Sequence, residues 1–265
     1  MTDAGWIALA RDAVRVVGPD ARSFLQGQVS QDIDPLAVGA SAWTLVLQPQ
    51  GKVEVLARVT RTGDDELVLD TDAGWGDRLA ERLLRFRLRV KCEIEPTRDW
   101  TCIAIRSHER DSFLGRDDRI GPDAAPPNDV AQWDGATYEA ARIAVGWPAM
   151  GAELTDATIP AECGQWFIDQ TISFTKGCFT GQELVARIDS RGGNVPRHLR
   201  GIRVTDPGGA IEVGAAIEVD GAEVGTVTSA AGPLGLAFVK RSVEPPADAV
   251  VGGQTTRIEA LPLLV

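Results

Sequence analysis

Lys176-Gly177-Cys178-Phe179-Thr180-Gly181-Gln182-Glu183 runs directly into Leu184-Val185-Ala186-Arg187, and these twelve residues carry most of what can be read from the chain. Thr180 with Glu183 three positions later is a capping-box pattern ahead of an apolar run, so a helix is expected to begin with Thr180 as its N-cap. Cys178 then stands just outside the helix's positive end. Unpaired amides and the dipole favour an anion there, and Lys176 adds a formal charge. Both effects favour thiolate over thiol. Gly177 and Gly181 remove side chains that would hold a ligand away from the backbone. On these grounds Cys178 is a reactive thiol, a transient metal ligand, the neighbour of an anion site, or a cysteine filling space beside a helix start.

Charge around this stretch points the same way. Residues 176–200 hold Lys176, Arg187, Arg191, Arg197 and Arg200 against Glu183 and Asp189, a net of +3 in a chain whose formal net charge is −11. A basic island in an acidic protein suits an anion pocket. A second basic run, residues 78–91, sets six cations against Glu81 and reads as a solvated face.

The 265 residues are 44% apolar and 25% charged, enough for buried cores and more than one packed unit. A pI near 4.7 argues against a general nucleic-acid or membrane-surface binder. No apolar run is long enough to cross a bilayer, and Met1-Thr2-Asp3-Ala4-Gly5-Trp6 has no basic signal-like character, so a soluble cytoplasmic protein is expected. Cys92, Cys102, Cys163 and Cys178 form no C-x-x-C pair, and His108 and His198 have no metal-ligand spacing, so no bound metal is expected. Cys92 and Cys102 lie in apolar runs and read as inert core thiols, with Cys163 intermediate in reactivity.

Outward from the signature, residues 13–17 read as a strand closed by Gly18-Pro19, and Asp20 as the cap of a helix over 21–28. Residues 42–47 and 52–59 read as paired strands around the turn Pro49-Gln50-Gly51, followed by a strand at 66–70. Trp75, Leu79, Leu83 and Phe86 recur at helical spacing. Strands are expected at 88–94 and 101–105, and an irregular connection over 107–135. Beyond Gly201, Ala215, Ile217 and Val219 alternate up to Asp220-Gly221, a two-residue hairpin signal, and strands follow at 224–228 and 234–239. The mixture lacks repeated βαβ units and predicts α+β layers with largely antiparallel sheets, followed by a small β domain.

Residues 176–183 resemble the K-G-C-F/Y-x-G-Q-E signature of the YgfZ family, folate-binding relatives of the glycine cleavage T-protein. Weaker elements occur in the family's order. They are Gly18-Pro19-Asp20-Ala21 with Leu25-Gln26-Gly27-Gln28 and Asp32, Gln48-Pro49-Gln50-Gly51-Lys52, Arg142-Ile143 with Gly146, Pro148, Gly151 and Glu153, and Ile159-Pro160-Ala161-Glu162. The resemblance implies an α+β fold, a T-protein-like (GcvT-like) cloverleaf of two α+β subdomains and a small C-terminal β-barrel around a central folate opening. Its folate-binding region is expected over 1–199, with 1–45 and 136–199 as one subdomain and 46–135 as the second. The barrel is expected over 200–265.

The resemblance also implies a function: binding of tetrahydrofolate or a derivative, and support of iron–sulfur cluster assembly or repair. Cys178 is the functional thiol, with Lys176 beside it and a transient cluster contact through the sulfur. Tyr138 and Arg142 are expected beside the ligand, Glu162 against the pterin edge, and Arg187, Arg191 and Arg197 at the tail or rim. Gln182 and Glu183 complete the signature. Expected partners are folate and iron–sulfur client or assembly proteins, without nucleic acid or membrane, for a monomeric protein with no classical turnover. The alternative is a folate-dependent aminomethyltransferase or one-carbon transferase. T-protein carries an adjacent Asp pair where Lys52-Val53-Glu54-Val55-Leu56 offers a single carboxylate, which ranks the alternative second. A third reading is a protein-interaction module that retains only the fold.

Overall fold

The computed structural model describes residues 4–97 and 100–263; Met1, Thr2 and Asp3, part of the stretch read for a signal, lie outside them. Two consecutive strands, β1 (Gly5–Leu9) and β2 (Arg11–Val17), are separated by Ala10 alone and enter different sheets. β2 joins β3 (Ser41–Leu47), β4 (Val53–Arg61), β5 (Glu66–Asp72) and β6 (Glu93–Thr97) in a five-stranded antiparallel sheet of order β3-β4-β5-β2-β6. β1 lies between β7 (Thr101–Arg106) and the short β9 (Ala131–Gln132), with β8 (Arg119–Gly121) at the far edge. The strand pairing therefore does not follow the expected division of 1–199. Residues 11–17 are interior to a sheet built from 41–97, and residues 5–9 to one built from 101–132, because each needs partners on both sides.

Alternation explains the first sheet. Val14, Val16, Val55, Val59, Leu67 and Leu69 share its buried face. On that face pack Leu25 of α1 (Ala21–Gln28) and Leu79 and Leu83 of α2 (Gly76–Phe86). Helix α1 starts where expected, but the Asp20 carboxylate does not cap it; Oδ2 accepts from the amide of Lys91 at 2.8 Å. The strand expected over 88–94 begins only at Glu93. Its register ends at the pair Val17–Glu93, so residues 88–91 have no strand edge to join and leave α2 as an irregular loop. The expected connection over 107–135 holds a 3-10 turn at Arg110–Leu114 and the two short strands β8 and β9.

Helices α3 (Gly135–Val145), α4 (Gln165–Thr171) and α5 (Gln182–Ser190) link the sheets to a closed six-stranded antiparallel barrel. Its strands are β10 (Arg197–Val204), β11 (Ala216–Val219), β12 (Ala222–Ala231), β13 (Leu234–Lys240), β14 (Ala247–Val251) and β15 (Gln254–Glu259), in the order β10-β13-β12-β11-β14-β15. Asp220 and Gly221 turn β11 into β12 with φ of 52° and 76°, as a type I′ hairpin requires. A second apolar core joins the three parts: Trp43 and Leu47 from the first sheet, Ile143 and Phe167 from the helices, Leu236 and Phe238 from the barrel. Fold class and barrel are as expected. Among the described residues no helix is long and apolar enough to cross a membrane.

Candidate functional site

Where the two sheets and α3 meet lies a cleft of about 200 Å³. Its walls are aromatic: Trp43 of β3, Phe113 of the 3-10 turn, Tyr138 of α3 and Trp147 just beyond it. Trp43 and Trp147 meet edge-on with centroids 5.0 Å apart, and Phe113 lies 5.8 Å from Tyr138. Such edge and tilted contacts are the favoured arrangement of aromatic quadrupoles, and they hold the walls in place.

Polar groups reach the cleft from the ends of strands and from α3. Asp72, at the end of β5, accepts from Arg11 Nη1 at 2.9 Å and from the amide of Met150 at 3.0 Å, and its side chain is 36% exposed. Glu139 accepts from Arg142 Nε and Nη2 at 2.8 and 2.6 Å and is exposed to the same extent. Arg106 is buried at the end of β7. Its Nη atoms are committed to Asp118 and the carbonyl of Ile105, whereas Nε has no partner among the described residues. A buried unpaired N–H costs about 1–3 kcal/mol, and an acceptor brought by a ligand relieves that cost. Arg142 has no such spare donor. It gives five hydrogen bonds, two to Glu139 and one each to Trp147 O, Glu153 and Ser229, and ties α3 to the barrel.

Beneath the cleft runs a buried ladder of charges. Arg11 and Arg58 both bond Asp70, Arg58 Nη1 reaches Asp118 at 2.6 Å, and Arg106 closes the row on Asp118. Arg11 and Arg58 also lie over the Trp43 ring, 5.3 and 5.5 Å from its centroid. Burial pushes the Asp70 and Asp118 carboxyls up, but the flanking guanidinium groups outweigh it and hold both below the usual carboxylate range. Asp70 and Arg58 sit on strands of the first sheet, Asp118 and Arg106 in the second unit, so the ladder fixes one sheet against the other.

The signature loop is a separate construction. Lys176 Nζ donates to the carbonyls of Gln26, Val29 and Gln31 at 2.6, 2.8 and 2.8 Å, which uses all three ammonium protons. Burial lowers its pKa to about 8, opposed by the nearby charges of Asp32 and Asp34. The amides of Ser173 and Thr180 add bonds to Ser30 O and Gly27 O, and Ser30 Oγ donates to Thr171 O. The last turn of α1 and the segment after it are thus the cradle of the signature loop, so two motifs far apart in sequence form one structure. The other end of the loop is set by glycines. Gly181 (φ 83°) lies so close to the 48–51 turn that a Cβ would come within 2.5 Å of Gln48 O, and Gly51 (φ 76°) is as tightly placed against Gly181 O and Leu184. Phe179 is buried between the two anchors, and Cys178 is left exposed.

This geometry corrects the expected surroundings of Cys178. The residue preceding α5 is Gly181 in left-handed conformation, without a side-chain cap, so Thr180 is not the N-cap and the capping box does not form. Glu183 pairs instead with Arg187 at 3.0 Å. The Lys176 ammonium is turned into the cradle, toward three backbone carbonyls. The basic island disperses in the same way: Lys176 is spent on carbonyls, Arg187 on Glu183, and Arg197 on Glu162 at 3.0 and 3.2 Å. Glu162 is buried, and its Oε2 also accepts from the amide of Ile159, so both oxygens are engaged away from the cleft. Of the ten residues expected at the site, Tyr138 and Arg142 line the cleft; Glu162, Lys176, Cys178, Gln182, Glu183, Arg187, Arg191 and Arg197 do not.

Sequence reasoning missed Arg11, Trp43, Asp72, Arg106 and Trp147, which come from five separated segments and share no motif. One signal was present: Asp70 and Arg58 interrupt apolar strand runs, and charges are almost never fully buried unless paired.

Exposure distinguishes the four thiols. Burial raises the pKa of Cys92 and Cys102, and lifts Cys163 well above the ordinary range, with the charges of Glu153 and Glu162 adding to it. Cys163 therefore belongs with the inert thiols rather than between them and Cys178. Iodoacetamide at pH 7 on the folded protein is expected to label Cys178 at least tenfold faster than the other three, as read by peptide mass spectrometry. Equal rates would show that the loop does not present the thiol. Among the described residues no three His, Cys, Asp or Glu side chains are grouped to hold a metal ion.

No protein-family model matches the chain. It is 28% identical over 241 residues to the tRNA-modifying protein YgfZ of Cronobacter sakazakii, covering 75% of this chain and 72% of that protein. With the human mitochondrial iron–sulfur cluster assembly factor IBA57 it shares 28% identity over 284 residues, covering 89% and 78%. An uncharacterized protein of Haemophilus influenzae is 29% identical over 230 residues, covering 82% and 80%. Among solved structures, the glycine cleavage system aminomethyltransferase T of Bartonella henselae superposes with a TM-score of 0.73 at 16% identity, covering 99% of this chain and 87% of that one.

Proposed function

We propose that this chain, a distant homologue of the YgfZ and IBA57 proteins with the fold of aminomethyltransferase T, binds a reduced folate in the cleft and supports assembly or repair of iron–sulfur clusters in client enzymes. The observation that carries the folate half is the donor set of the cleft. Flat aromatic walls surround two partly exposed carboxylates, Asp72 and Glu139, and an unpaired N–H on Arg106. A pterin presents a flat ring whose amino-pyrimidine edge donates to carboxylates and whose carbonyl accepts. The cleft volume suits that ring alone, so the glutamate tail lies outside it.

Cys178 supplies the other half. Thiolates are the usual ligands of iron–sulfur centres, and the exposed thiol is the one a cluster can reach. One thiolate cannot complete a cluster's ligation, so the cluster is cargo. The relatives are named for tRNA modification and for cluster assembly. The second is adopted because a chain of net charge −11 does not offer the broad basic surface that RNA binding uses. Aminomethyl transfer is not favoured: Glu54, the single carboxylate where T-protein has a pair, is largely buried and held by Arg82 at 3.0 Å.

Titration with 5-formyltetrahydrofolate, followed by calorimetry and by quenching of tryptophan fluorescence, tests the cleft. Asp72→Asn removes a charge-assisted contact of about 1.5–3 kcal/mol and is expected to weaken binding roughly ten- to a hundredfold. Wild-type protein that binds no folate, or a folded variant of unchanged affinity, refutes this placement. Failure of Cys178→Ala to restore a strain lacking its YgfZ homologue tests the thiol.

A further inference from the structure

Much of the second basic run is exposed to solvent, as its alternation suggested, but its outer side is not wholly polar. Helix α2 buries Leu79, Ala80 and Leu83, yet Leu84 points outward, and Leu88 in the following loop is 79% exposed. These leucines break the binary pattern of an amphipathic helix on its solvent side. Around them stand Arg85, Arg87, Arg89 and Lys91. The side chains of Arg85, Arg89 and Lys91 make no hydrogen bond or ion pair among the described residues, and Arg87 donates only to the carbonyl of Cys92. The turn is held with Arg89 in left-handed conformation (φ 59°), a backbone that non-glycine residues seldom adopt. Residues 78–91 carry a net charge of +5 within a chain of −11.

We propose that the knuckle formed by Leu84, Arg85, Arg87, Leu88, Arg89 and Lys91 is a docking surface for an acidic protein that offers an apolar recess to the two leucines. Charge complementarity selects this occupant. The strongly negative remainder of the chain repels any polyanion, so an acidic partner is steered to this concentrated cationic face and held in one orientation. Leucines contribute where a shaped apolar surface receives them. They offer nothing to nucleotide bases, which stack on aromatic rings, and the ring of Phe86 is already covered by the Arg82 guanidinium at 3.9 Å. Two leucines are also a small apolar anchor for a bilayer. The proposal rests on the cluster-assembly reading only in identifying the partner as a client or carrier of that process.

The test is a pair of variants in the full chain: Arg85→Glu with Arg89→Glu and Lys91→Glu, and separately Leu84→Ser with Leu88→Ser. Both alter exposed side chains away from the cleft and from Cys178, so 5-formyltetrahydrofolate affinity is expected to stay within about twofold of wild type. In a strain lacking its YgfZ homologue, each is expected to reduce recovery of a client iron–sulfur enzyme's activity by about tenfold or more. Full recovery by either variant overturns the proposal. Wild-type binding to total tRNA, or to vesicles of phosphatidylcholine with 30% phosphatidylserine, that is lost in the charge variant also overturns it, by assigning the knuckle to another class of partner. If wild type itself fails to restore the strain, the cluster-assembly reading falls, and the proposed partner falls with it.

Discussion

Asp70→Asn is expected to lower stability by about 3–5 kcal/mol, the cost of breaking a buried ion pair by removing one partner. Asp70 is fully buried between Arg11 and Arg58, and without its charge two buried guanidinium groups lose the carboxylate between them. Asn keeps the shape and one acceptor, so the loss reports charge rather than a cavity. The pH dependence has a defined sign. The folded-state pKa of Asp70 lies below its ordinary value, so its contribution is complete above about pH 4 and disappears as pH falls from there through the folded value. Urea denaturation at pH 7 is therefore expected to separate wild type and variant widely, and the gap to narrow below about pH 4. A loss under about 1 kcal/mol at pH 7, or a gap that widens in acid, would contradict the ladder as the element joining the two sheets.

Gly181→Ala is expected to cost about 2–4 kcal/mol, combining left-handed strain with overpacking against backbone. A methyl group at this position meets Gln48 O at 2.5 Å and Leu47 Cβ at 2.8 Å, and neither is the free end of a flexible side chain. The 48–51 turn and the signature loop must then separate. Because the loop is held at its other end by Lys176, the displacement is taken up between residues 177 and 181, where Cys178 lies. The variant is expected to show a lower thermal midpoint and broader hydrogen exchange in residues 173–181, while barrel amides keep their protection. Wild-type stability together with unchanged exchange in the loop would mean that the glycine contact is incidental.

Elements with strong local periodicity are legible in the amino-acid sequence. The 3.6-residue spacing of Leu79, Leu83 and Phe86, the paired strands around Pro49-Gln50-Gly51 and the Asp220-Gly221 hairpin all appear where local pattern puts them. Residues 88–94 have the alternation of a strand and do not form one over 88–91, since alternation states a preference and not whether a neighbouring edge exists. The signature is equally legible as a motif and misleading as a mechanism. Thr180 and Glu183 have capping-box spacing, but the close approach of Gly181 to the 48–51 turn places a left-handed glycine at the helix start. That approach involves residues more than a hundred positions apart, and no local window contains it.

The sequence by itself determined the α+β class, the terminal β domain and the signature stretch around Cys178, because hydrophobic period, turn chemistry and a compact motif are local properties. Only the tertiary structure decided what the polar residues do. It turned Lys176 into a clamp on three carbonyls, closed Glu162 onto Arg197, committed every donor of Arg142, and assembled the cleft from Arg11, Trp43, Asp72, Arg106 and Trp147. A buried charge must find a partner, and that partner is set by which backbones the apolar cores bring together. The role of a charged side chain is therefore fixed only when the cores are packed.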